Sequence, residues 1–70
     1  MQRTPVTSSN IRSIGYDAST ATLEVEFNDF SIYRYSGVPA QLHESLMNSA
    51  SKGRFLANFI KNRFTHTQIK

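Results

Sequence analysis

The chain has 70 residues, a net charge of +3 and no cysteine. This length allows one small domain with a modest core, and the missing thiols exclude disulfide staples and thiolate metal sites. No stretch approaches the roughly 18 apolar residues of a spanning helix, and Met1-Gln2-Arg3-Thr4-Pro5-Val6 has no apolar signal-peptide core. A soluble cytoplasmic domain without a membrane partner is therefore expected.

In chain order, residues 1–9 are polar, with Pro5 and a Thr-Ser-Ser run, and are expected to form a flexible arm or an edge extension. Ile11-Arg12-Ser13-Ile14-Gly15-Tyr16 suits a strand, with Gly15 marking a bulge or a close approach. A turn follows at Asp17-Ala18-Ser19-Thr20. Thr22-Leu23-Glu24-Val25-Glu26-Phe27 alternates cleanly. Leu23, Val25 and Phe27 share one face, and Thr22, Glu24 and Glu26 the other, which predicts a sheet with one buried and one wet face. Asn28-Asp29, both tolerant of positive φ, predicts a tight hairpin into a third strand, Ser31-Ile32-Tyr33-Arg34-Tyr35.

Val38-Pro39 ends the sheet and opens a helix, since proline suits a first helical turn. Leu42, His43, Leu46, Met47 and Ala50 lie on one arc of it, opposite Gln41, Glu44, Ser45 and Asn48, which predicts an amphipathic helix of about three turns. Ser51 is a candidate N-cap for a second helix. Its apolar arc holds Phe55, Leu56, Phe59 and Ile60, with Arg54, Asn58 and Lys61 facing water. Arg63 falls within the apolar arc, so the helix is expected to fray near Asn62 unless Arg63 snorkels. Residues 65–70 form a tail, either loose or briefly extended.

The fold that satisfies these faces is α+β: a three-stranded antiparallel β-meander followed by two helices packed on one face of the sheet. Leu23, Val25 and Phe27 are expected to meet Leu42, Leu46, Phe55 and Phe59, with Glu24 and Glu26 on the open face.

The charge distribution is one-sided. Residues 1–35 sum to −1, residues 36–70 to +4, and no acidic residue follows Glu44. A basic half of this kind favours an anionic partner such as RNA, DNA or an acidic protein surface. His43 and His66 lie far apart with no cysteine or carboxylate at ligand spacing, so no metal site is expected, and His43 reads as a packed core-edge side chain. No Gly-x-Ser-x-Gly turn or Ser/His/Asp arrangement is readable, and no catalytic residue or cofactor is assigned. Glu24 and Glu26 are better explained as cross-strand partners of Arg34 than as a catalytic pair. Ser51-Lys52-Gly53-Arg54 presents basic groups at a helix start, a weak candidate anion site.

Tyr33 and Tyr35 have two placements. On an open sheet face they would stack bases; turned inward they would join Leu23, Val25 and Phe27. The inward placement is preferred because so small a core needs its aromatics, and it leaves Ile32 and Arg34 on the open face.

Ser9-Asn10-Ile11, Gly15-Tyr16-Asp17, Leu23-Glu24-Val25-Glu26-Phe27, Tyr33-Arg34-Tyr35, Val38-Pro39, Ala50-Ser51-Lys52-Gly53-Arg54-Phe55 and Ile60 stand in the order and spacing of a known family. Together they resemble the KTSC domain, named for the C-terminus of some lysyl-tRNA synthetases and also found as a stand-alone protein of bacteria and phages. The resemblance divides the chain into an arm at 1–8, a domain at 9–64 and a tail at 65–70. The family's hairpin glycine is replaced near Phe30, and its Phe-Asn pair in the second helix is here Leu56-Ala57, with Asn58 one place later.

The resemblance implies a compact α+β domain for which RNA binding has been suggested. The expected function is thus a small, non-enzymatic nucleic-acid-binding module for single-stranded RNA or tRNA, monomeric or weakly dimeric. Lys52, Arg54, Lys61, Arg63 and Arg34 are expected at phosphates, Asn58 as a hydrogen-bonding partner, and Tyr33 and Tyr35 as stacking platforms if exposed. The alternative is an accessory module that docks on a larger protein through the open sheet face or an edge strand.

Overall fold

The computed structural model describes all residues from 1 to 70. Its elements are β1 (Arg3–Pro5), β2 (Ile11–Asp17), β3 (Thr22–Phe27), β4 (Ile32–Ser36), α1 (Ala40–Met47), α2 (Lys52–Phe59) and β5 (His66–Gln68). The strands form one antiparallel sheet in sequence order. The α+β class and the central meander are as expected, but the sheet has five strands rather than three. The additional two come from the N-terminal arm and the C-terminal tail. Each carries three mostly polar residues, too few for an apolar alternation to show, and each satisfies the unpaired N–H and C=O groups at one edge of the meander.

Register sorts the side chains between the faces. Ile14 is opposite Val25, Tyr16 opposite Leu23, and Leu23 in turn opposite Tyr35, so these side chains share the helix-covered face. The core there is Ile11, Ile14, Leu23, Val25, Tyr35, Val38, Leu46, Leu56 and Ile60. Phe59, expected in the core, is 47% exposed and packs on Phe55, ring to ring at 4.8 Å. The reason is helix length: α2 stops at Phe59, so Leu56 and Ile60 point inward and Phe59 stays at the rim. Likewise α1 has eight residues, closer to two turns than three, and ends where the Asn48 N–H reaches the Glu44 carbonyl.

Both hairpins of the meander use the same device. Asp17 accepts the N–H and hydroxyl of Ser19, and Asp29 accepts those of Ser31. These hydrogen bonds, the side-chain one first, hold both carboxyls below the ordinary aspartate range. In the second hairpin, positive φ falls on neither Asn28 nor Asp29 but on Phe30, at 70°. Phe27 N–H donates to the Ser31 carbonyl across the loop, which puts Phe30 at the left-handed position that normally closes a three-residue loop.

The step from sheet to helix is fixed by Tyr16, whose hydroxyl donates to the Val38 carbonyl at 2.5 Å. His43 of α1 stacks on the Tyr16 ring at 4.5 Å, nearly parallel. Two segments of the family resemblance, Gly15-Tyr16-Asp17 and Val38-Pro39, thus meet through one hydrogen bond.

Candidate functional site

The basic residues of the second half gather on α2 and the turn that follows it. Arg54 and Asn58 are exposed on α2, one turn apart. Ile60, fully buried, anchors the end of the helix, and the N–H groups of Ile60 and Lys61 both donate to the Leu56 carbonyl. The chain therefore leaves the helix before Asn62. Lys61, Asn62 and Arg63 stand exposed in the turn, and Arg63 escapes the apolar arc without snorkelling. Lys52 is half-buried and donates its ammonium to the Ser49 carbonyl at 3.2 Å.

Lys61 also borders a cavity of about 520 Å³ on the helix side of the sheet. Asn10, Phe27, Asn28, Tyr33, Tyr35 and His66 line it, with Ser9, Asp29 and Ser31 at its polar end. Four aromatic rings cluster there: His66 lies 5.8 Å from Tyr33 and 5.5 Å from Tyr35, and Tyr33 meets Phe27 edge-on at 5.7 Å. Tyr33 is half-buried, and its hydroxyl donates to Gln68 Oε1. Tyr35 is 2% exposed, with burial, and next the neighbouring Tyr33, pushing its phenol above the ordinary value. Tyr35 takes the preferred inward placement, and its buried ring offers no open stacking platform. Both tyrosines take the inward placement.

Arg34 lies elsewhere. It stands on the opposite sheet face, across from Glu24, and its Nε donates to Glu24 Oε1 at 2.8 Å. Its open-face placement and its pairing with Glu24 are as expected, and they set it apart from the basic side chains of α2. On the same open face Arg3 of β1 reaches Glu24 Oε2 and donates to Ser13 Oγ at 3.1 Å. Arg12 approaches Glu26 at 3.8 Å. Burial of Glu24 raises its pKa, but the hydrogen bonds from Arg34 and then Arg3 outweigh it and hold the carboxyl below the ordinary range. The open face is thus a mixed-charge layer already paired within itself.

Nothing here gathers three or more His, Asp or Glu side chains to hold a metal ion. Asn10, Asn28 and His66 are among the cavity residues that the sequence does not single out as site residues. Asn10 had a signal, since it sits in the Ser9-Asn10-Ile11 segment of the resemblance. His66 had none, because the tail that carries it shows no pattern until it pairs with β4.

Comparison with known proteins gives a consistent result. The KTSC domain family model matches residues 7–64. A crystal structure of a KTSC domain protein from Yersinia pestis superposes with a TM-score of 0.95 at 45% identity, covering 99% of this chain and 97% of that one. A lysine–tRNA ligase of Trichormus variabilis is 39% identical over 59 residues, which is 84% of this chain and 10% of the ligase. An uncharacterised protein of Stutzerimonas stutzeri is 39% identical over 61 residues, covering 87% of this chain and 86% of that protein. The chain therefore spans about a tenth of the ligases it matches and most of the stand-alone relative.

Proposed function

The chain belongs to the KTSC domain family, and on that premise we propose that it is a small, non-enzymatic cytoplasmic module that binds RNA. The observation that carries this reading is the acid-free run after Glu44, which exposes Arg54, Asn58, Lys61 and Arg63 on α2 and its turn. No carboxylate of that segment competes for these cations, so phosphates are their natural counter-charges. Relatives that are lysine–tRNA ligases make tRNA and single-stranded RNA the first ligands to try. Arg34 drops out of the contact set because Glu24 holds it on the far face.

Phosphate contacts of this kind position a strand without reading its sequence. Three cations, Arg54, Lys61 and Arg63, would give a log–log salt slope of about −2 for a single strand. The test is fluorescence anisotropy of labelled single-stranded RNA and tRNA across a salt series, with the charge reversals Arg54→Glu and Lys61→Glu. Binding that weakens along that slope and is lost in the double reversal supports the reading. Absence of binding even at low salt overturns it and directs attention to a protein partner on the open sheet face.

A further inference from the structure

The cavity beside Lys61 has features that a purely electrostatic strand contact does not require. Its walls are aromatic: Tyr33 and Tyr35 each lie within 6 Å of His66, with Phe27 edge-on to Tyr33. Asn10 and Asn28, at its polar end, supply amide donors and acceptors, and Lys61 supplies a cation. The tyrosine hydroxyls are not equivalent. That of Tyr16 donates to Val38 and that of Tyr33 to Gln68, whereas the Tyr35 hydroxyl has no partner in the chain. The one sealed polar side-chain atom without a partner is Ser49 Oγ, so the Tyr35 hydroxyl is reached from the cavity that Tyr35 lines. A side chain 98% buried thus keeps a free donor for something that enters.

Aromatic walls select a flat ring, amide and phenol groups select its polar edge, and a cation selects an attached anion. A volume of about 520 Å³ falls in the range of small-molecule sites. We propose that this cavity is a nucleotide site, in which one base lies against Tyr33 and His66, its edge bonds to Asn10 and the Tyr35 hydroxyl, and its phosphate meets Lys61. The inference rests on the RNA-binding reading and refines it: the strand held along α2 places one unstacked base in the cavity. The same chemistry is met by a free nucleoside monophosphate, and the experiment separates the two sources.

Isotope-labelled full-length protein is titrated with a short single-stranded oligoribonucleotide and, in parallel, with each of the four nucleoside 5′-monophosphates, following amide and aromatic resonances. The expected result is oligonucleotide-induced shifts at Asn10, Tyr33, Tyr35 and His66 as well as at Arg54 and Arg63. Tyr35→Phe, which keeps the buried ring, is expected to bind the oligonucleotide about three- to tenfold more weakly with an otherwise unchanged spectrum. Shifts confined to Arg54, Asn58 and Arg63, or a Tyr35→Phe variant that binds like the parent, overturn the nucleotide site and leave the RNA reading standing. A mononucleotide that shifts the cavity residues while the oligonucleotide shifts nothing supports the site and overturns the RNA reading. Silence of both ligands overturns both.

Discussion

Asn10, at the entry to β2, and Gly53, in the first turn of α2, are packed so closely that a methyl group on Gly53 would overlap the Asn10 side-chain oxygen and stand 3.1 Å from its Cγ. The contact joins two segments 43 positions apart and sets the helix start against one wall of the cavity. In an exposed helix, Gly→Ala stabilises by about 1 kcal/mol. Here the gain is opposed by displacement of Asn10, whose Oδ1 accepts the Ser8 hydroxyl at 3.2 Å. Gly53→Ala alone is expected to leave stability unchanged or lower, and to move the Asn10 amide resonance. In an Asn10→Ala background the same substitution recovers about 1 kcal/mol. Urea denaturation of the four proteins measures the reversal, and equal effects of Gly53→Ala in both backgrounds would disprove the coupling.

Gly15 allows a second close approach. A Cβ on it would lie 2.8 Å from the Gln2 carbonyl oxygen and 3.0 Å from Arg3 Cγ, so Gly15→Ala pushes β1 off the sheet. Arg3 then loses Glu24, which is 2% exposed and keeps only Arg34. Both Gly15→Ala and Arg3→Ala are expected to cost about 1–2 kcal/mol, given that one charged hydrogen bond is lost and the other remains. Amide exchange of β1 and of the facing half of β2 is expected to accelerate in both variants. If exchange stays slow in Gly15→Ala, the arm is held by something other than this approach.

Acid is expected to destabilise the fold in two separate windows. Burial against Tyr16 lowers the His43 pKa, only partly offset by the charge of Glu44. The unfolded chain protonates this histidine near pH 6.5, the folded one only below that. Stability linked to His43 is thus complete above about pH 6.5 and is lost as pH falls toward its folded value. Glu24 acts lower down, because its folded pKa lies below that of an unfolded glutamate. Its contribution is complete above about pH 4.3 and is lost as pH falls through the folded value. Chemical denaturation from pH 8 to pH 3 is expected to show both declines, His43→Gln removing the upper and Glu24→Gln reducing the lower, which Asp17 and Asp29 share because their folded values are lowered too. An upper decline that persists in His43→Gln would assign it to another group.

These elements differ in how far the sequence announces them. The alternation of Leu23, Val25 and Phe27 is legible because one sheet face is apolar and the other polar, although the expected wetness of the second face is not found at Glu24, which Arg3 and Arg34 cover. Gly15 is legible as a bulge or a close approach, and the packing of Gln2 and Arg3 against it selects the second. The inward turn of Tyr35 follows from the shortage of other large apolar residues. β1 and β5 are not legible: Arg3-Thr4-Pro5 and His66-Thr67-Gln68 gain their structure from the edges they cover, a tertiary property. Phe59 departs from the core position that a helical wheel gives it because α2 ends there, whereas the wheel assumes a helix that continues. The cavity is the least legible feature, since Asn10, Tyr33, Lys61 and His66 come from four segments that only the completed sheet brings together.

Phe30 combines an unfavourable backbone with an exposed side chain. It is 54% exposed at φ 70°, where an L-residue other than glycine pays about 1–2 kcal/mol. Its compensation is local: the Arg12 guanidinium lies over its ring, 4.8 Å from the centroid, worth about 0.5–1 kcal/mol at an exposed site. Relief of the backbone exceeds loss of the stacking, so Phe30→Gly is expected to stabilise the domain by about 0.5 kcal/mol. Arg12→Ala is expected to destabilise the parent by a similar amount and to have a smaller effect once Phe30 is glycine. The measurement is a double-mutant cycle in thermal unfolding. A Phe30→Gly variant less stable than the parent would mean that the ring makes a larger contribution to the fold than its contact with Arg12 explains.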